Sequence, residues 1–146
     1  MTIDNFSEKY EFLSNFYEKP FTYNGVEYKT SEHAFQAAKC ANKDDAKKII
    51  DADTPGKAKR LGRRITLRSD WEDVKIDIMY DILIAKFSDQ DLKQKLLDTR
   101  DVILIEGTTW HDNTWGNCTC DKCKNIVGKN YLGKSLMKVR EFYGTC

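Results

Sequence analysis

Three stretches of this chain carry side chains able to make or break covalent bonds. The first is Thr30-Ser31-Glu32-His33-Ala34-Phe35-Gln36-Ala37-Ala38-Lys39. As a helix it sets Glu32, Gln36 and Lys39 on one side, an acid, an amide and an amine beside small alanines that leave room for a ligand. The second is Lys86, which follows Met79, Ile82 and Leu83 at helical spacing. An amine whose stem runs along such an apolar seam loses hydration, which disfavours the ammonium and favours attack on a carbonyl carbon. The commoner outcome for a lysine at the edge of a stripe is snorkelling, with the charge carried out to water. The third is Trp110-His111-Asp112-Asn113-Thr114-Trp115-Gly116, where loop indoles offer faces for a base or sugar and Asp112 could bind hydroxyls or handle a proton. An equally weighted reading is a loop pinned by its tryptophans, with Asp112 capping a turn.

Arg60, Arg63, Arg64 and Arg68 form the most basic stretch and could hold phosphate through forked, charge-assisted hydrogen bonds, although solvated arginines are the commoner result. Trp71 is in phase with an apolar stripe, so core is its default and a stacking platform the alternative. Cys118, Cys120 and Cys123, with His111 nearby in sequence, could complete a zinc site. A second clear pair is missing, so the spacing ranks zinc below reduced thiols in a loop. Cys40 and Cys146 read as ordinary free cysteines.

The elements that must position these groups are legible in outline. Phe21 to Tyr28 alternates around Asn24-Gly25, the signature of a tight hairpin. The helix with Glu32 follows, capped by Thr30 or Ser31. A short amphipathic helix is expected over Asp45 to Asp51. Another opens at Thr54-Pro55 and ends at Gly62. Ser69-x-x-Glu72 has capping-box spacing ahead of a long helix with the stripe Trp71, Val74, Ile78, Ile82 and Ala85. Leu92, Leu96 and Leu97 mark a further helix, and Val102 to Ile105 reads as a buried strand. Gly107 to Lys129 has no period and is expected to be a long functional loop. Leu132, Leu136, Val139 and Phe142 or Tyr143 define a closing helix that Gly144 would stop. The expectation is one α+β domain over 1–146, compact and mostly helical, with an N-terminal hairpin and a small sheet.

With 146 residues, one core of ordinary size suffices, and 32% charged and 12% aromatic residues argue against disorder. A net charge of +1 excludes a global field that would hold the protein on nucleic acid or an anionic membrane. No apolar run approaches a bilayer span and no signal pattern is visible, so no membrane association and a cytoplasmic location are expected. Five unevenly spread cysteines fit reduced thiols better than a disulfide framework.

Phe12-Leu13-Ser14-Asn15-Phe16-Tyr17, the Thr30 to Lys39 stretch, Ala85-Lys86-Phe87, Asp112-x-x-Trp115-Gly116 and Asn130-Tyr131-Leu132-Gly133-Lys134-Ser135-Leu136-Met137-x-Val139-Arg140 together resemble the NADAR superfamily, also called YbiA-like. The resemblance covers nearly the whole chain in order. It implies an N-glycosidase acting between a nitrogen and a ribose C1, with no cofactor. Its substrates would be ribosylamino-pyrimidine intermediates of riboflavin synthesis or ADP-ribose attached to guanine in nucleic acid. Carried over by motif, Glu32, Lys86 and Asp112 would be catalytic, Trp71 would contact substrate, and Asn15, Phe16, Trp115, Gly116 and Asn130 would line the pocket. One departure is the run Asn117 to Cys123, where the family usually has a Gly-rich segment, which leaves loop conformation and substrate choice open.

Two routes suit these residues. A carboxylate near C1 stabilises the positive charge that develops as the bond breaks, the other carboxylate serving water or the leaving nitrogen. Alternatively the ring opens and Lys86 forms a Schiff base that water later hydrolyses; the apolar seam favours this route. ADP-ribosyl-guanine is the preferred substrate, with Arg63 and Arg64 on the diphosphate, the tryptophans on the bases, and only transient contact with nucleic acid. A non-catalytic ADP-ribose-binding module and a zinc-stabilised interaction surface rank below the enzyme.

Overall fold

The structure is a computed structural model that describes residues 1–144; Cys146 lies outside them. Its chain sorts into two compact units, residues 15–86, and residues 1–14 together with those from 87 onward. The chain opens in the latter with β1 (Thr2–Ile3) and a 3-10 helix over Glu8–Leu13.

The unit of residues 15–86 begins with the hairpin β2 (Phe21–Tyr23) and β3 (Val26–Tyr28), antiparallel with Phe21 opposite Tyr28. Asn24 (φ 51°) and Gly25 (φ 80°) both take the left-handed backbone that a two-residue turn demands. Helix α1 (Ser31–Ala38) follows, and of the two expected caps Thr30 is the one used, its hydroxyl accepting the His33 amide at 3.2 Å. Helix α2 (Lys43–Ile50) starts earlier than the apolar pattern implies, because Asn42 accepts the Asp45 amide at 2.9 Å. Thr54 caps α3 (Pro55–Leu61) as expected, with Pro55 in the first turn and Gly62 just past the end. Ala37, Ile49, Ala52 and Ala58 interlock as the core where α1, α2 and α3 meet.

Helix α4 (Trp71–Lys86) starts at Trp71, so the Ser69–Glu72 box does not form the start; the residue before the helix is Asp70, whose carboxylate is held by Arg68 at 2.6 and 3.0 Å. Its buried side chains are Trp71, Met79, Ile82, Leu83 and Lys86, while Val74, Ile78 and Ala85 are only half-buried. The helix packs on α1 and on β2, so its inward face passes through the Met79–Lys86 seam rather than along the anticipated stripe.

The other unit contains α5 (Gln90–Asp98), capped by Asp89, then β4 (Ile103–Leu104), which pairs in parallel with β1. Only Leu104 is buried; Ile103 is half exposed, so Val102 to Ile105 is not the buried strand expected, because a two-residue ladder with one partner leaves its other face to solvent. Within Gly107 to Lys129, β5 (Gly107–Thr108) and β6 (Asn117–Cys118) pair in parallel and the rest is loop. Helix α6 (Tyr131–Gly144) extends to Gly144, the last described residue. Phe12 meets Phe87 edge-on at 6.5 Å, and Leu92, Leu96, Leu104, Leu132, Leu136 and Val139 are buried in this unit. The architecture is the helix-rich α+β class expected. Among the described residues no helix is long and apolar enough to cross a membrane.

Candidate active site

Glu32 lies in the first turn of α1 and is 7% exposed. Asn15 sets that turn in place: its carbonyl accepts the Glu32 amide at 2.9 Å and its side-chain oxygen accepts the Ser31 hydroxyl at 2.9 Å. The Asn15 amide nitrogen also reaches the Met79 sulfur at 3.8 Å, so one side chain ties the start of α1 to the seam of α4. One turn along α1, Gln36 Nε2 donates to Glu32 Oε1 at 3.0 Å. Gln36 Oε1 is buried without a hydrogen-bond partner, against the space that the missing side chain of Gly62 provides.

Lys86 follows Met79 by two turns of α4, about 10 Å along the axis and on the same face. It is 2% exposed, with its ammonium 5.9 Å from the centroid of the Tyr17 ring. The side chain therefore does not snorkel, because the face on which it lies is covered rather than at the edge of the core.

Lys39 has both Glu32 and further cations as neighbours. Burial pushes the Lys39 amine below the usual lysine range; the Glu32 carboxylate opposes that shift, whereas Arg63 and Lys59 add to it. Lys59 also sits 6.0 Å over the ring of Phe16, which is 43% exposed. Arg63 and Arg64 are exposed. Trp71 is buried, with its ring 5.0 Å from that of Phe35, as its place in the helical pattern implied. Asn15, Phe16, Glu32, Arg63, Arg64, Trp71 and Lys86 thus all belong to the unit of residues 15–86.

Asp112, Trp115, Gly116 and Asn130 gather in the other unit. Asp112 Oδ1 accepts the amides of Thr114 and Trp115 at 3.1 and 2.9 Å, the turn-capping arrangement weighed from sequence. The carbonyls of Asn113, Thr114, Trp115 and Gly116 accept the amides of Lys129, Tyr131, Leu132 and Asn130, which satisfies donors that the start of α6 would otherwise leave open. Trp115 meets Tyr131 edge-on at 5.9 Å. Gly116 is buried where any Cβ would strike the Glu106 carbonyl and the Thr108 methyl. The Asn130 amide accepts from Glu106 N–H and donates to the Leu104 carbonyl, both at 2.9 Å, so its visible work is to clamp the chain around β4.

The loop also gathers its thiols. His111 Nδ1 lies 3.4 Å from Cys123 Sγ and 3.3 Å from Cys120 Sγ, and the His111 amide donates to Cys118 Sγ at 3.3 Å. Burial pushes the Cys118 thiol up, but the amides of Cys120 and His111 and the neighbouring thiols outweigh it and bring it down to about 6. Cys40, by contrast, is pushed up to about 11 by burial and by Asp45.

Sequence reasoning named Lys39 only as part of a polar stripe, Gly62 only as a helix end and Tyr17 only within a motif, and it passed over Lys59. Tyr17 lay inside the Phe12 to Tyr17 motif, which was its one signal; the approach of Lys59 and Gly62 to α1 depends on how α3 packs and left none.

The family model of the NADAR domain matches residues 3–142, passing through both units. The N-glycosidase YbiA of Shigella flexneri serotype 5b is 38% identical over 146 residues, covering 96% of this chain and 88% of that protein. The riboflavin biosynthesis protein VVA0006 of Vibrio vulnificus is 34% identical over 137 residues, covering 92% of this chain and 36% of that protein. The NMR structure of YbiA from Escherichia coli superposes with a TM-score of 0.82 at 38% identity, covering 97% of this chain and 84% of the other. With Glu32, Lys86 and Asp112 all inside the matched span, this chain belongs to the NADAR domain family.

Proposed function

We propose that this chain hydrolyses the bond between ribose C1 and a base nitrogen, releasing ADP-ribose from guanine in nucleic acid. N-glycosidase is the activity in the names of its relatives YbiA and Npun_R5314. The observation that carries the substrate reading is the buried Glu32 carboxylate beside Lys39, an amine that itself has Arg63 and Lys59 as neighbours. A carboxylate suits the positive charge that develops at C1, and adjacent cations suit a diphosphate joined to that same sugar. The riboflavin-related relative favours a second reading, a ribosylamino-pyrimidine phosphate, for which one anion contact is enough.

In the route that best uses a buried amine, a proton reaches the ring oxygen as the C1–O4′ bond opens, leaving C1 doubly bonded to the base nitrogen. Lys86 adds to C1, the base nitrogen leaves with a proton, and C1 becomes a Schiff base with Lys86. Water then adds to C1 and returns the free amine and the sugar aldehyde, so one water is consumed per bond broken. Burial of Lys86 at 2% exposure supports this route, since a group removed from water loses the hydration that its charged form needs. Glu32 is assigned to the developing charge, and Asp112, by its motif position, to water or the leaving nitrogen.

Purified protein offered an oligonucleotide with ADP-ribosylated guanine and, separately, a ribosylamino-pyrimidine phosphate distinguishes the substrates by which base is released. Release from the oligonucleotide at the higher kcat/KM is expected; turnover of the pyrimidine alone overturns the first reading. Borohydride added during turnover should leave a reduced sugar adduct on Lys86, and an active enzyme that yields none rules out the Schiff base.

A further inference from the structure

The hydrolysis assigned above makes no use of His111, Cys118, Cys120 or Cys123, yet the fold brings one ligand atom from each to within 4.8 Å of all the others. The pairing of β5 with β6 sets Cys118 beside the loop that begins at Thr109, and so beside His111. A tight turn, closed by the Cys123 amide on the Cys120 carbonyl at 3.0 Å, brings the remaining two thiols back to the same point.

We propose that His111, Cys118, Cys120 and Cys123 form a structural zinc site that clips this loop together. Tetrahedral zinc with its usual bond lengths separates two sulfurs by about 3.8 Å and a sulfur from a nitrogen by about 3.5 Å. The observed Nδ1 to Sγ distances of 3.3 and 3.4 Å match the second spacing. Four protein ligands fill the tetrahedron and leave no place for a reactive water, which makes the site structural. The His111 amide aimed at Cys118 Sγ stabilises the thiolate form that binds metal. Three thiolates and Zn²⁺ leave one negative charge, next to Lys122 and Lys124 of the same turn. A disulfide would use two of the thiols and strand the third with the imidazole.

The loop has a reason to need such a clip. Between Gly107 and Lys129 only Thr108, Gly116, Cys118 and Cys123 are buried, too little apolar surface to order a segment of this length. Metal ligation supplies the missing free energy, as in other small modules that fold around zinc. His111 immediately precedes Asp112, so the ion also fixes one end of the turn that presents that carboxylate.

The test is made on the full chain, produced in reducing buffer with no added metal. Elemental analysis should find about one zinc per chain, and the thiols of Cys118, Cys120 and Cys123 should resist alkylation until the metal is stripped. Cobalt(II) loaded into the stripped protein should show the absorption of tetrahedral, thiolate-ligated cobalt. Cys120→Ser with Cys123→Ser should abolish the zinc, whereas Cys40→Ser should retain it. Should the double variant fail to fold, the cobalt spectrum and thiol protection of the unaltered chain decide. Zinc below about a tenth of an equivalent, with no thiol protection when zinc is added back, overturns the proposal; so does stoichiometric iron in its place.

Discussion

Gln36 Nε2 donates to Glu32 Oε1 at 3.0 Å, while Gln36 Oε1 is buried against Gly62 with no hydrogen-bond partner. The amide is thus committed to orienting the carboxylate and gains nothing from its own acceptor. Leaving an acceptor buried and unmet costs about 1–3 kcal/mol, a cost more easily understood where the arrangement serves chemistry.

Glu32→Gln keeps volume and helix but removes the charge that would face C1. Expected is a drop of about 100- to 1000-fold in kcat with little change in Tm, the magnitude typical of losing one preorganised electrostatic group. Steady-state kinetics with thermal unfolding of the same preparation checks this. A variant that retains a substantial share of activity would remove Glu32 from the transition state.

Gly62→Ala acts on the same pair from the opposite side. A methyl group there strikes the buried Gln36 carbonyl, while the backbone of Gly62 (φ −60°) is open to any residue, so the effect is steric. Overpacking of this kind costs about 1–3 kcal/mol, and pushing Gln36 aside should lower kcat as well. Gly62→Ala combined with Gln36→Ala should recover most of the stability but not the activity, a non-additivity that a double-mutant cycle measures.

Local chemistry was legible in the sequence and tertiary covering was not. Asn24-Gly25 announced the hairpin, and Thr30 and Thr54 announced their helices, because each acts within a few residues of itself. Ser69 and Glu72 had capping spacing, but Asp70 bonded to Arg68 and the helix began at Trp71. For Lys86, spacing alone ranked snorkelling above a buried amine because the residues of α4 do not show that the face with Met79 and Lys86 is covered. His111 was named beside the three thiols, but without a second clear pair the spacing ranked zinc below reduced thiols, because the convergence depends on the pairing of β5 with β6.

Lys86→Met separates chemistry from packing. Methionine keeps the unbranched stem and fills the same buried position while removing the amine. Base release and borohydride trapping should both vanish while cooperative unfolding is retained. Marked destabilisation would show instead that the ammonium is held by the fold for structural reasons.

The last expectation concerns acid. His33 is fully buried: Nε2 donates to the Ala52 carbonyl at 2.9 Å, and Nδ1 accepts from the Thr30 hydroxyl at 2.7 Å, the same hydroxyl that caps α1. A second proton would turn Nδ1 from acceptor to donor and break the link to the cap. Burial accordingly holds the ring below the ordinary histidine value of 6.5, with Lys29 contributing in the same direction and Ala52 and Glu18 opposing. The unfolded chain takes up a proton as pH falls through 6.5 while the folded chain resists it, so this contribution is complete above 6.5 and drains away below it. Urea unfolding at a series of pH values should show stability falling on the acid side of that point. His33→Gln, which can still donate to Ala52, should be less stable at neutral pH but lose less on acidification, and parallel profiles for the two proteins would show that the imidazole is not the group responsible.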